Sequence, residues 1–321
     1  MTIVYLGSDL FAERILANLF EKKAPISAVV TAIDRPKGRS QRLSATPVKE
    51  LVVSQGHRVK LFQPEKVSSP EFVNELSELK PELLLVVSYG QFLKRNLLDL
   101  PSIGAINVHP SLLPRYRGPS PIQSAVLAGE KETGVTIMEL SMEMDAGDII
   151  DFQKVSIDPD ESFGDIEANL IQVSCQLLEK NIAKIIKEKK YSKVVQDHTQ
   201  ATFTKKIFPE DAQINLNQPA WKVHNLIRGM NPRPGARCTV EVGGAKKNLK
   251  IIKSRVVSIE EEERLGIVSH RPGDILFYNK KEGFVIACQD SYLQLLILQL
   301  EGKREMNSLD FINGFSTPIF V

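Results

Sequence analysis

Asn107 and His109 stand two residues apart in an apolar run that begins at Ala105, and Asp145 follows the histidine 36 positions later within Met144-Asp145-Ala146-Gly147-Asp148. An amide, an imidazole and a carboxylate are the parts needed to move an acyl group onto an amine. Attack on the carbonyl carbon builds an oxyanion that the Asn107 amide can stabilise, and loss of one such donor typically costs on the order of 10² to 10³ in rate. His109 can stabilise the same oxygen as imidazolium or relay a proton as a neutral base. Asp145 can orient the histidine or take the ammonium proton through a water. On its own the Asn-x-His pair is a weak signal, because a strand-end histidine more commonly satisfies local backbone groups.

If residues 105–108 form a strand, Asn107 and His109 emerge on one face. Pro110 then forces His109 into an extended conformation, so the strand ends there with the polar pair at its mouth. Ligands of open α/β sheets bind at such mouths. Pro110, Pro114, Pro119 and Pro121, with Gly118, make the following segment stiff. That suits a preformed ligand wall, and equally a plain proline-rich connector.

The elements upstream must place this mouth. Apolar runs at Ile3–Leu6, Ser27–Ala32, Val59–Phe62, Leu83–Ser88 and Ala105–Val108 alternate with helical patterns such as Leu10–Glu21 and Pro47–Gln55. This rhythm predicts an α/β fold with a doubly wound, mostly parallel sheet. Val135–Met138 and Ile149–Val155 read as further strands, and Ser162 to Lys190 as one long helix. A polar stretch follows, and 191–206 is expected to be a linker between a catalytic domain at 1–190 and a second domain at 207–321. In the latter, Ala220–Arg228 reads as a helix. Short runs at Arg237–Val242, Leu249–Val257, Gly273–Phe277, Gly283–Ala287 and Leu293–Leu300 suggest a small OB-like β-barrel. The first turn, Gly7-Ser8-Asp9, has one glycine and matches neither the dinucleotide fingerprint nor a P-loop.

At 321 residues, with 42% hydrophobic and 25% charged side chains, the chain has the composition of a soluble globular protein of about two domains. Its start reads as a first strand rather than a signal peptide, and no apolar stretch reaches the roughly 20 residues of a membrane span. Cys175, Cys238 and Cys288 are odd in number and far apart, and five scattered histidines offer no zinc spacing, so reduced thiols, no metal and a cytoplasmic location are expected.

A net charge of +2 conceals two basic stretches. Residues 219–255 hold nine Lys/Arg against Glu241 alone, a local charge of +8, and residues 34–49 hold five against Asp34, a local charge of +4. Such excess suits a polyanionic partner, while a solvated lysine-rich face explains either stretch taken alone. The second stretch has no aromatic side chain and is expected to be mobile until its polyanionic partner arrives.

Taken together, Asn107-Val108-His109-Pro110-Ser111-Leu112-Leu113-Pro114-Arg115-Tyr116-Arg117-Gly118, Pro121-Ile122-Gln123 and Met144–Asp148 resemble the folate-dependent formyltransferases. The resemblance implies that Asn107, His109 and Asp145 are catalytic. It also implies that Ser111, Leu112, Leu113 and Pro114 contact a reduced folate, with Ser88, Tyr89, Gly90, Gln91 and Leu140–Met144 lining the pterin pocket. The cosubstrate would be 10-formyltetrahydrofolate.

Acceptors in that family are the aminoacyl end of an initiator tRNA, a glycinamide ribonucleotide or an amino sugar. Residues 34–49, the opening turn Gly7–Ala12, and the motifs at Ile227–Ala236 and Gly302–Gly314 resemble the tRNA branch. The implied activity is formyl transfer to the α-amine of methionyl initiator tRNA, in support of translation initiation, by a monomer without membrane contact. Lys37, Arg39, Arg42, Arg228 and Arg237 would then meet RNA. Pro110 stands where the family has Gly or Ala, and Arg233 where it has Trp.

Overall fold

The computed structural model describes residues 1–37, 42–54, 56, 59–266 and 270–321, with backbone alone at Lys37 and Arg42. Two compact units emerge. The first holds Met1–Pro121, Glu132–Ser156 and Glu167–Thr204; the second holds Ile122–Lys131, Ile157–Ile166 and Lys205–Val321.

The first unit opens with β1 (Ile3–Gly7), α1 (Leu10–Glu21) and β2 (Ile26–Val30). Next come β3 (Arg35–Lys37), β4 (Arg42–Ser44), α2 (Pro47–Ser54), β5 (Lys60–Phe62), α3 (Pro70–Ser77) and β6 (Leu83–Val87). They are followed by α4 (Arg95–Leu98), β7 (Gly104–His109), α5 (Pro121–Ala128), β8 (Glu132–Glu139), β9 (Ile149–Ser156) and α6 (Phe163–Glu188). One sheet runs β5-β2-β1-β6-β7-β8-β9, parallel as far as β7 and antiparallel across β8 and β9. Every residue of β1 and β6 is buried, as central strands covered on both faces require. Asp9 caps α1 through the Ala12 amide, and a Cβ on Gly7 would strike Ala12, the Tyr5 ring and the Val87 carbonyl. The first turn is therefore shaped by tight packing.

β3 and β4 pair antiparallel within the basic stretch 34–49, of which residues 38–41 lie outside the described residues. At their base Asp34 accepts Lys49 Nζ at 2.7 Å and Gln63 Nε2 at 2.8 Å, which hold its carboxyl below the usual range.

The stretch expected to be a linker is part of the first unit as far as Thr204. Val194 exchanges both backbone hydrogen bonds with Ile149 at 2.8 Å, a single antiparallel bridge within that stretch. Conversely, 122–131 and 157–166 belong to the second unit, because Leu127 packs against its core and Arg228 binds their carbonyls.

The second unit adds α7 (Ala220–Gly229), β10 (Arg237–Val242), β11 (Ala245–Val256), α8 (Ile259–Leu265), β12 (Ile275–Asn279) and β13 (Gly283–Ala287). It ends with β14 (Tyr292–Leu300), β15 (Met306–Asn307), α9 (Ser308–Gly314) and β16 (Ile319–Phe320). Its curled antiparallel sheet, β12-β13-β14-β11-β10-β16, forms a half-barrel rather than a closed barrel. Gly243 and Gly244, at φ 59° and 73°, make the two-residue turn between β10 and β11. Val223 and Ile227 of α7 and Phe311 of α9 fill the concave face with Phe284, Leu295 and Leu298.

Candidate active site

β7 delivers the polar pair to the C-terminal end of the parallel strands. Asn107 lies beside Val86 of β6 and Met138 of β8, and His109 opposite Thr136. Asn107 is half-buried, with no side-chain hydrogen bond among the described residues, so its amide remains a free donor. His109 is only 4% exposed.

The segment after His109 folds back on itself. Thr136 Oγ1 donates to Ser111 O at 2.7 Å and accepts the Leu113 amide at 3.2 Å, while Ser111 Oγ donates to Arg115 O at 2.8 Å. These bonds return Tyr116 to the histidine, with its carbonyl oxygen 2.9 Å from His109 Nε2. A carbonyl oxygen only accepts, so Nε2 carries a proton and Nδ1 is the ring position left to exchange one. Nδ1 faces Asp145 Oδ2 at 3.7 Å, and the same Oδ2 accepts the Gly118 amide at 2.7 Å. Asp145 has a left-handed backbone, φ 52°, and a Cβ on nearby Gly147 would collide with the Glu139 carbonyl. The structure thus brings Asn107, His109 and Asp145 to one mouth.

Of the residues expected around folate, Ser111 and Leu113 are buried and tied into the returning segment. Leu112 packs over Gly134, and Pro114 is half-buried. Ser88 and Gly90 are exposed just beyond β6. The Tyr89 hydroxyl is buried with no partner, and burial pushes its pKa up to about 12. Gln91 has both ends of its amide engaged, accepting from Val67 N at 2.9 Å and donating to Pro64 O at 3.2 Å. It ties the loop after β6 to the segment 64–67. Met142 and Met144 are exposed.

Sequence reasoning missed Arg117 and Gln196. Both are buried, and they are bonded to each other and to the Asp145 loop. A lone glutamine 79 residues from its arginine carries no local signal.

The residues expected to meet RNA divide. Lys37 and Arg42 pair through their backbones, and Arg39 lies outside the described residues. Arg237 is half-buried, bonded to Pro209 O at 2.8 Å, and with Lys250 lines a surface cavity of about 350 Å³. Arg228 is placed differently. It is 5% exposed, and its guanidinium donates to Asn225 Oδ1, Glu161 O and Val126 O. Burial lowers its pKa.

Burial pushes the thiols of Cys238 and Cys288 up to about 12 and that of Cys175 to about 11, which disfavours thiolate chemistry. Among the described residues no cluster of His, Cys, Asp and Glu could hold a metal ion, and no helix is long and apolar enough to cross a membrane.

Residues 1–182 match the family described as "Formyl transferase", and residues 206–316 match "Formyl transferase, C-terminal domain". The chain belongs to the formyl transferase family. It is 41% identical over 319 residues to a protein of Protochlamydia amoebophila named methionyl-tRNA formyltransferase, covering 98% of this chain and 96% of that one. A protein of the same name from Caldanaerobacter subterraneus is 38% identical over 319 residues, covering 99% and 98%. Among solved structures, a sugar 3N-formyl transferase, WlaRD, shares the fold at TM-score 0.62 and 20% identity, covering 95% of this chain and 99% of that one. HypX from Aquifex aeolicus, in complex with tetrahydrofolic acid, matches at TM-score 0.62 and 15% identity, covering 97% of this chain and 46% of its own.

Proposed function

We propose that this chain transfers the formyl group of 10-formyltetrahydrofolate to the α-amine of methionine on an initiator tRNA. The observation that carries the reading is His109, buried between the Tyr116 carbonyl and the Asp145 carboxylate, with the free Asn107 amide two residues away on the same strand face. The whole-length relatives named methionyl-tRNA formyltransferase support the acceptor.

The residues at the mouth fit a folate carrying a formyl group. The unpartnered Tyr89 hydroxyl and exposed Met142 and Met144 offer one polar and two apolar contacts. A formyl group on folate nitrogen is already activated, so the cosubstrate supplies an electrophilic carbon. Asn107 donates to the oxygen that gains charge as the amine attacks. His109 Nδ1, facing Asp145, takes up the proton the amine loses; as the tetrahedral intermediate collapses, the bond from the formyl carbon to the folate nitrogen breaks and that nitrogen leaves with the proton returned to it. Ser111, Leu112, Leu113 and Pro114 form the wall of the folate site, with Ser88, Tyr89 and Gly90 on its other side. The first unit is the catalytic part and the second a tRNA-binding part. Arg237 in the second, with Lys37, Arg39 and Arg42 in the first, contributes phosphate contacts. A cytoplasmic monomer is the form proposed.

The decisive assay supplies purified protein with 10-formyltetrahydrofolate and methionyl initiator tRNA. Formylmethionine on the tRNA is the expected product; formylation of an amino-sugar nucleotide with none on tRNA overturns the reading.

A further inference from the structure

The chemistry at the mouth requires none of Arg117, Gln196 and Lys193, yet all three are tied into the loop that carries Asp145. Arg117 is 1% exposed, and its Nη2 lies 2.7 Å from Gln196 Oε1 and 3.0 Å from His198 Nδ1. Its nearest carboxylate, Glu143 at 3.7 Å, is itself 70% exposed, so the Gln196 oxygen is its closest buried acceptor. That contact fixes which end of the Gln196 amide faces which way, because a flipped amide would set its NH₂ against the guanidinium. Nε2 therefore points to the carbonyl oxygens of Asp145, at 2.9 Å, and Gly147, at 2.6 Å.

The first of those carbonyls belongs to Asp145 itself, which takes a conformation that residues other than glycine seldom adopt, and the second lies two residues beyond it. The backbone of Arg117 is held as well. Its amide donates to Thr202 O at 2.8 Å and its carbonyl accepts from Thr204 at 2.7 Å. The very next amide, of Gly118, is the one that Asp145 Oδ2 accepts. Lower down, Lys193 bridges Glu139 and Asp148, which flank the loop, and Tyr191 Oη donates to Glu139 at 2.9 Å. The Val194 bridge to Ile149 closes the base.

We infer that residues 191–204 are a positioning strap for the Asp145 loop, in which Gln196 sets the Asp145 carboxylate against His109. The strap rests on the formyl-transfer reading of the site, and it adds to that reading a residue through which the geometry is held. Gln196 touches no reacting atom; it acts through the backbone carbonyls of Asp145 and Gly147.

The test uses the full chain with two substitutions. Gln196→Glu keeps an acceptor for Arg117 but presents a second oxygen to two carbonyls, and Gln196→Leu removes both functions. Steady-state kinetics are combined with the NMR ring signals of His109, assigned by their loss in His109→Gln. The expected result is a kcat lowered roughly 10- to 100-fold with KM for both substrates retained, and displaced His109 signals at unchanged pH. Lys189→Ala serves as the control, since it removes only the ion pair to Glu82 just ahead of the strap, and it leaves both readouts at the wild-type values. Wild-type kcat or unmoved His109 signals in the Gln196 variants overturn the inference, as does a loss of activity that only tracks a lowered unfolding temperature. If both Gln196 variants fail to fold, Lys193→Gln, at a half-exposed position, carries the same readouts, and an unmoved His109 spectrum there rejects the strap. A wild-type chain that formylates no tRNA defeats the functional reading alone, because the His109 signals still decide the strap.

Discussion

The Asp145 carboxylate faces the His109 ring across 3.7 Å, Oδ2 to Nδ1. That separation exceeds a hydrogen bond, whose N···O distance is about 2.7–3.2 Å. Catalytic contacts of this kind commonly tighten only when substrate is bound. Once Nδ1 has taken a proton, a closure of under about 1 Å makes the bond, and the Gly118 amide already holds the same carboxylate oxygen.

Asn107→Ala removes the free donor at the mouth, and we expect kcat to fall by about 10² to 10³ with folate and tRNA binding retained. Single-turnover formylation at saturating substrate, alongside equilibrium binding of charged tRNA, separates the two. His109→Ala and Asp145→Asn are expected to act in the same direction. A variant that lost RNA affinity in proportion to rate would argue that the trio is structural.

Gly147→Ala places a methyl group against the Glu139 carbonyl, which is fixed backbone. We expect a destabilisation of roughly 1–3 kcal/mol from forced overpacking, read as a lowered midpoint in chemical unfolding. Gly90→Ala is the comparison, since a Cβ there meets nothing within 4 Å.

His224 gives the second unit a pH dependence. Its Nε2 faces Pro159 O at 3.1 Å and its Nδ1 faces Ser254 Oγ at 3.1 Å, and burial lowers its pKa below the usual 6.5. The unfolded chain then binds the proton more readily than the folded one. Its contribution is fully present above about pH 6.5 and is lost as the pH falls from there through the lower folded value. Thermal melts from pH 8 to pH 5 should show this slope, and His224→Gln should flatten it. An equal slope in that variant would assign the acid sensitivity elsewhere.

Arg228 and Arg237 look alike in the sequence and should behave differently. Arg237→Ala should weaken tRNA binding and reduce the slope of log K against log salt by about one phosphate contact. Arg228→Ala should leave that slope intact and lower stability, because it strands buried acceptors on Glu161 and Val126. Salt-titrated binding and unfolding curves on both variants distinguish the tasks. Arg42→Ala is expected to weaken tRNA use with folate binding preserved.

Periodicity made most of the scaffold legible. Arg237–Val242 and Gly283–Ala287 were bounded correctly because their alternating or continuous apolar runs end at glycine or polar residues. The two residues of the opening motif on β7, and the end of that strand at His109, followed from Pro110. What stayed hidden depended on distant partners. Ile259–Leu265 is a helix made by the Ser258–Glu261 capping box and by Glu261 gripping Arg255, with no apolar stripe to announce it. The polarity of 191–204 suggested a spacer, yet Gln196 and Thr202 are polar because they bind backbone groups in the first unit. Charge alone could not separate buried Arg228 from half-exposed Arg237, since burial is a property of the packed unit.

The partner that fixes the His109 tautomer is the main-chain oxygen of residue 116, not a side chain. No substitution at 116 can delete that acceptor, so the placement of the ring proton is insulated from sequence drift there. What could disturb it is an insertion or deletion in the stiff stretch between 110 and 116, which would carry the oxygen away. In directed evolution, diversity introduced at 116 should be tolerated by the proton chemistry, while a change in loop length should not.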